Sequence, residues 1–162
     1  MKTLSHSVVL PCSRETFWKT FLSPDYARTL YLEVLGYRGL DVLETTDASR
    51  KLRVVPKVAL PGPLQKILGD FSYEDHGTLD RDKHFWTWRM VPPPGGGKQI
   101  VSTRGSLRLE PVGDDQCRRV DELIIEAHVF GIGGLIESQA EKEARAGWEK
   151  EDAFLRRKFA KS

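Results

Sequence analysis

After Gly134 the chain runs to Phe159 with no proline and a single glycine, Gly147. Across this stretch and its approach, apolar or small residues recur at Ile132, Leu135, Ile136, Ala140, Ala144, Gly147, Trp148, Leu155 and Phe159, the spacing of one helical face. The pattern predicts a helix from about Gly134 to Phe159, roughly 40 Å long at 1.5 Å per residue. A helix of that length with one apolar stripe requires a broad apolar surface to lie on. A sheet whose strands run about 30 Å supplies one.

The preceding residues predict such a sheet. Thr3 to Leu10 alternates as a strand, with Leu4, His6, Val8 and Leu10 on one side, and Pro11 ends it. Ser13 reads as an N-cap before Phe17, Trp18, Phe21 and Leu22, and Ser23-Pro24 opens a second short helix carrying Tyr26, Leu30, Tyr31, Val34 and Leu35 up to Gly36. From there the period shortens. Strands are predicted at Tyr37–Thr46 and Lys51–Val58, joined by a polar turn, and at Phe71–Asp80, His84–Val91, Ile100–Glu110 and Cys117–Val129. Leu60-Pro61-Gly62-Pro63 interrupts them, and Leu64, Ile67 and Leu68 predict one apolar helical turn ending at Gly69. The expected class is α+β, in the order strand, two short helices, six strands and a long helix.

A length of 162 residues suits one domain spanning 1–162, large enough to bury roughly 70% of the unfolded chain's surface. The 25 Lys and Arg nearly cancel the 23 Asp and Glu, and the basic residues are scattered without interleaved aromatics, which speaks against nucleic acid as a partner. Cys12 and Cys117 belong to no Cys-x-x-Cys pair, so no zinc site is expected, and two unpaired thiols suit a reducing cytoplasm. They can bond only if the fold brings them together. No apolar run approaches the ~20 residues of a membrane span, and the first residues lack the apolar core of a signal peptide. A soluble, cytoplasmic protein is the expectation; its oligomeric state is open.

This order of elements resembles the START-like superfamily, also called SRPBCC or birch-pollen-allergen-like, over essentially the whole chain. The resemblance implies a helix-grip architecture: a curved seven-stranded antiparallel sheet wrapped around the C-terminal helix, commonly with a hydrophobic cavity between them. The Leu60-Pro61-Gly62-Pro63-Leu64 insert, and Gly131-Ile132-Gly133-Gly134 with Glu137 three residues later, resemble a branch of uncharacterised bacterial members. The resemblance implies binding of a lipid, sterol or polyketide-like molecule. The superfamily also contains cyclases, hydratases and chaperone-interacting domains, and it carries no universal catalytic motif to transfer.

Alternation assigns Leu52, Val54, Phe71, Tyr73, Trp86, Trp88, Met90, Leu107, Leu109, Leu123 and Ile125 to the face that meets the terminal helix. Any one of these can be ordinary core. As a set, two tryptophans and a methionine opposite Ala140, Ala144 and Gly147 either interdigitate with the helix or leave a void. Gly147 costs about 1 kcal/mol relative to alanine inside a helix, so either something approaches closely there or the helix bends. The expected ligand-binding residues are Tyr73, Trp86, Trp88, Met90, Leu107, Leu123, Ile136, Gln139, Ala140, Glu143, Ala144 and Gly147. Gln139 and Glu143 flank the apolar stripe, where they either orient a ligand head group or sit in water at the helix margin.

Arg119 and Asp121 share a strand face with Leu123 and Ile125; they form an inward paired site unless a one-residue bulge turns them outward. Among the scattered histidines, His76 beside Asp75 and Tyr73 is the one cluster suited to acid/base work. No catalytic residue, metal site or cofactor is assigned, since the chain has no nucleophile elbow, phosphate loop or dinucleotide fingerprint. Three functions follow. The first is binding, transport or sensing of a hydrophobic small molecule, with Leu64, Ile67 and Leu68 as a gate or membrane-touching lip. The second is a cyclase- or hydratase-like enzyme using Tyr73, His76, Asp121 or Glu143. The third is a partner-binding module with a filled core.

Overall fold

The computed structural model describes residues 1–57, 62, 66, 71–95 and 99–160. Seven strands form one antiparallel sheet: β1 (Lys2–Leu10), β2 (Gly39–Thr45), β3 (Ser49–Val55), β4 (Tyr73–Asp80), β5 (Phe85–Val91), β6 (Val101–Pro111) and β7 (Cys117–Ala127). Their order across the sheet is β1-β7-β6-β5-β4-β3-β2, so the first two strands of the chain lie at opposite edges. The connection between them carries the two short helices, α1 (Arg14–Phe21) and α2 (Pro24–Arg28). The terminal helix α3 (Gly133–Phe159) completes the helix-grip architecture expected from the element order.

Local chemistry sets the ends of these elements. Ser13 caps α1, its Oγ accepting from the Thr16 N–H at 3.2 Å, and Phe17, Trp18 and Phe21 are buried beneath that helix. Ser23 makes no such bond, and the start of α2 rests on Pro24, whose fixed φ suits the first turn. The second helix does not continue regularly to Leu35 as its spacing suggests. It widens into a π-helical segment, Thr29–Val34, closed by the Leu35 N–H on the Leu30 carbonyl at 2.8 Å. Gly36, at φ +70°, then turns the chain toward β2.

The turn from β7 into α3 uses Gly131 at φ +85°. Glu137, on the first turns of α3, reaches back to accept the Ala127 N–H at 3.0 Å, tying the helix start to the end of β7. The same carboxylate meets the Met1 amine at 2.9 Å. These bonds hold its pKa below the ordinary value, the backbone bond from Ala127 first and the terminal amine second.

α3 packs on β1, β7 and the π-helical segment. Buried apolar side chains form three clusters around that packing. One centres on Phe17, Trp18, Phe21, Trp86 and Leu155, one on Leu4, Leu123, Ile125 and Ile136, and one on Ala27, Leu52 and Val54. Each fully buried large side chain contributes about 1.5–3 kcal/mol. Leu52, Val54 and Leu109 lie in packed core, whereas most other residues of the inward set face the space the clusters surround.

Cys12 and Cys117, both buried, are brought together. Their mutual interaction favours the thiolate at Cys117, helped by Arg119 and Arg14, and pushes the Cys12 thiol up. The insert residues 58–61, 63–65 and 67–70, among them Leu64, Ile67 and Leu68, lie outside the described residues. Among the described residues no helix is long and apolar enough to cross a membrane.

Candidate functional site

A cavity of about 310 Å³ lies between the concave face of the sheet and α3. Its floor is shaped by two glycine–tryptophan relationships. Trp88 on β5 stands between Gly77 on β4 and Gly105 on β6 in the cross-strand register. The Trp88 indole lies over Gly105, where an added Cβ would come 2.9 Å from the ring and overlap the Glu122 carbonyl oxygen. The Trp86 indole covers Gly77 in the same way, since a Cβ there would overlap its six-membered ring. Missing side chains at Gly77 and Gly105 let both rings lie along the sheet, and the room above them remains open. Neither glycine stands out in the sequence. Their signal is a small residue beside a large one on adjacent strands, which is visible only once register is known.

The opposite wall is α3. Ile136, Ala140, Ala144 and Gly147 face the cavity at helical spacing. Close approach does not explain Gly147: a Cβ there would meet only Leu35 Cδ2, at 4.0 Å. Its missing side chain leaves volume. Gln139 and Glu143 lie at the rim, the Gln139 amide donating to the Glu143 carboxylate at 3.1 Å, so they both line the cavity and reach water. The structure thus brings all twelve residues expected from sequence, Tyr73, Trp86, Trp88, Met90, Leu107, Leu123, Ile136, Gln139, Ala140, Glu143, Ala144 and Gly147, around one space.

The cavity also has a polar end that spacing only partly signals. Arg119 and Asp121 point inward, and no bulge interrupts the β6–β7 register there. Arg119 Nε and Nη2 donate to the Asp121 carboxylate at 2.7 and 3.0 Å, and Nη2 also lies 2.9 Å from Glu151 on α3. Tyr26 donates to the other Glu151 oxygen at 2.6 Å. Glu151 has no distinguishing sequence context, because it sits among the charged residues of a helix that is mostly solvated. Burial raises the Asp121 pKa, although Arg119 opposes this.

A second group comprises Arg50, Asp75, Tyr31, Tyr37 and Tyr73. Burial raises the Asp75 pKa against the pull of Arg50 and His76. Burial first, then the Glu143 charge, pushes Tyr37 up to about 12, and the neighbouring Tyr73 is raised as well, by burial first. The π-helical segment supplies Leu30 and Tyr31 to this side of the cavity, and Leu35 follows directly.

The proposed acid/base cluster divides. Tyr73, Asp121 and Glu143 line the cavity, as does Asp75, but His76 is absent from the lining. Its ring instead meets Glu74 at 2.9 Å, and its cross-strand neighbours are Lys51 and Arg89, on the other face of the sheet. Among the described residues no group of three or more His, Cys, Asp or Glu is placed to hold a metal ion.

Solved structures share this architecture. The aromatase/cyclase Zhui from Streptomyces sp. R1128 superposes with a TM-score of 0.71 at 13% identity, covering 98% of this chain and 93% of that one. A START superfamily protein from Mycobacterium smegmatis gives 0.61 at 12% identity, with 96% and 97% covered. Norcoclaurine synthase from Thalictrum flavum gives 0.56 at 15% identity, with 91% and 87% covered. At these identities the likeness is one of fold, and the fold is START-like. A search of curated proteins finds no match. The family model described as "Protein of unknown function (DUF2505)" matches residues 5–158, and the chain is a member of that family.

Proposed function

We propose that this protein binds a hydrophobic small molecule in the cavity between its sheet and α3, for carriage or sensing. The observation that carries the reading is the pairing of flat-lying indoles over Gly77 and Gly105 with Ala140, Ala144 and Gly147 opposite. Glycines at sheet positions and within a helix each cost stability, and here both leave space at one place. A volume of about 310 Å³ falls at the small end of the range of roughly 300–1,000 Å³ usual for small-molecule sites. It favours a single-chain or compact aromatic ligand over a phospholipid. The structural relatives, an aromatase/cyclase and a START superfamily protein, support the same coarse class.

Native mass spectrometry of the purified protein, with organic extraction and a panel of fatty acids, sterols and phospholipids, tests this reading. A retained small ligand, or a mass shift with a single-chain amphiphile, is expected. Protein that carries nothing and binds none of the panel would remove the proposal. The 60–69 insert is proposed as a gate or membrane-touching lip, and loss of vesicle co-sedimentation on replacing Leu64, Ile67 and Leu68 with serine is the expected result.

A cyclase- or hydratase-like reaction is a second reading, favoured by the inward Asp121 and Tyr73 in the cavity wall. His76 has no part in it. Turnover of an aromatic polyketide mimic that is lost in Asp121→Asn, with the fold intact, would support this reading.

A further inference from the structure

Building on the cavity-binding reading, we propose that the ligand is an amphiphile with a carboxylate head group, seated on Arg50. The cavity wall holds two buried arginines in opposite conditions. Arg119 is 4% exposed and meets two carboxylates, Asp121 and Glu151. Arg50, on β3, is 5% exposed, yet no carboxylate among the described residues lies within 4.0 Å of it. Among the described residues, Nη1 donates to the Phe21 carbonyl at 3.0 Å and Nε has no acceptor. Two aromatic faces lie beside it, Phe21 at 4.3 Å and Trp86 at 5.6 Å. Ring faces attract a cation but do not neutralise it, and a buried guanidinium is costly unless it is paired.

That guanidinium belongs to the cavity lining, and its cross-strand partner, Gly77, adds no side chain of its own, the Trp86 indole lying across it. Asp75, in the adjacent register, feels the Arg50 charge against the upward push of burial, but forms no ion pair with it within 4.0 Å. A planar, singly charged carboxylate matches the guanidinium fork. A phosphate monoester fits poorly, because it brings up to two negative charges into a wall that already holds Asp75, Asp121, Glu122, Glu143 and Glu151, with Arg50 as its one buried cation outside the Arg119 cluster and Lys57 exposed to water. The apolar tail then lies along Trp86, Trp88 and the small residues of α3.

The test is calorimetric titration of the full chain with decanoate, decan-1-ol, decyltrimethylammonium and decyl phosphate, at mildly alkaline pH and low salt. Decanoate is expected to bind about tenfold or more tighter than decanol, as a charged hydrogen bond requires, and the cationic analogue more weakly than either. In Arg50→Gln the decanoate-to-decanol ratio should fall to near unity, and in Arg50→Lys it should persist in part. If Arg50→Gln does not fold, the wild-type ratio and the lysine variant decide. Equal binding of decanoate and decanol overturns the head-group assignment and leaves the cavity reading standing. A ratio unchanged in Arg50→Gln overturns the role of Arg50, and tighter decyl phosphate overturns the choice of carboxylate. Binding of none of the four overturns this inference, while the cavity reading stands or falls with the wider ligand panel in native mass spectrometry.

Discussion

Arg119 on β7 and Glu151 on α3 lie 2.9 Å apart, Nη2 to Oε1, in the wall of the cavity. They join the sheet to the helix at a point where both are almost fully buried. Removing Arg119 leaves two carboxylates without their cation, so Arg119→Met should cost about 3–5 kcal/mol. Glu151→Gln retains an acceptor for the Tyr26 hydroxyl and leaves the Arg119–Asp121 pair, so its cost should be nearer 1–2 kcal/mol. Urea unfolding of both variants checks the order; equal losses would mean that Arg119 is not the centre of the cluster.

Gly105 and Gly147 predict opposite responses to the same substitution. Gly105→Ala places a methyl against the Glu122 backbone oxygen and the Trp88 ring, and backbone cannot swing aside. A loss of about 3 kcal/mol or more is expected. Gly147→Ala meets only Leu35 at 4.0 Å and gains helix propensity, so it should stabilise by up to ~1 kcal/mol. Thermal melts of the two variants should move in opposite directions.

A larger residue at Gly147 separates stability from binding. Gly147→Leu projects into the cavity and should abolish decanoate uptake while the protein stays folded by circular dichroism. Retained uptake would place the ligand elsewhere.

Glu137 gives a pH dependence of known sign. Its folded pKa lies below the ordinary 4.5 of the unfolded chain. Its contribution to stability is therefore present above that value and is lost as pH falls through the folded pKa. In Glu137→Gln the stability difference from wild type should shrink below about pH 4, within the ordinary carboxylate range. A difference that stays constant across acid pH would rule out the carboxylate as the source.

The sheet and the long helix were legible because each has an amphipathic period, 2 for the strands and 3.6 for the helix. Trp86, Trp88 and Met90 could be placed on one face, and Ala140, Ala144 and Gly147 on another, without coordinates. The irregular features were not legible. The π-helical turn at Thr29–Val34 follows from a local competition among carbonyl acceptors, and apolar spacing is too coarse to resolve it. Arg50 and Glu151 did not stand out, and Asp75 did so only as a neighbour of His76, since nothing along the chain distinguishes an inward-facing charge from a solvated one.

The sequence by itself determined the order of elements, the handed faces of the strands and the small-residue stripe of α3, because these depend on residues a few positions apart. Tertiary structure decided whether large and small faces would interlock or stand apart. That depended on cross-strand register, which set Trp88 over Gly105 and Trp86 over Gly77, and on α3 resting on β1 and β7. Register and stand-off are properties of contacts between distant segments. They gave the helix a cavity to cover and left one buried arginine, Arg50, facing into it without a carboxylate among the described residues.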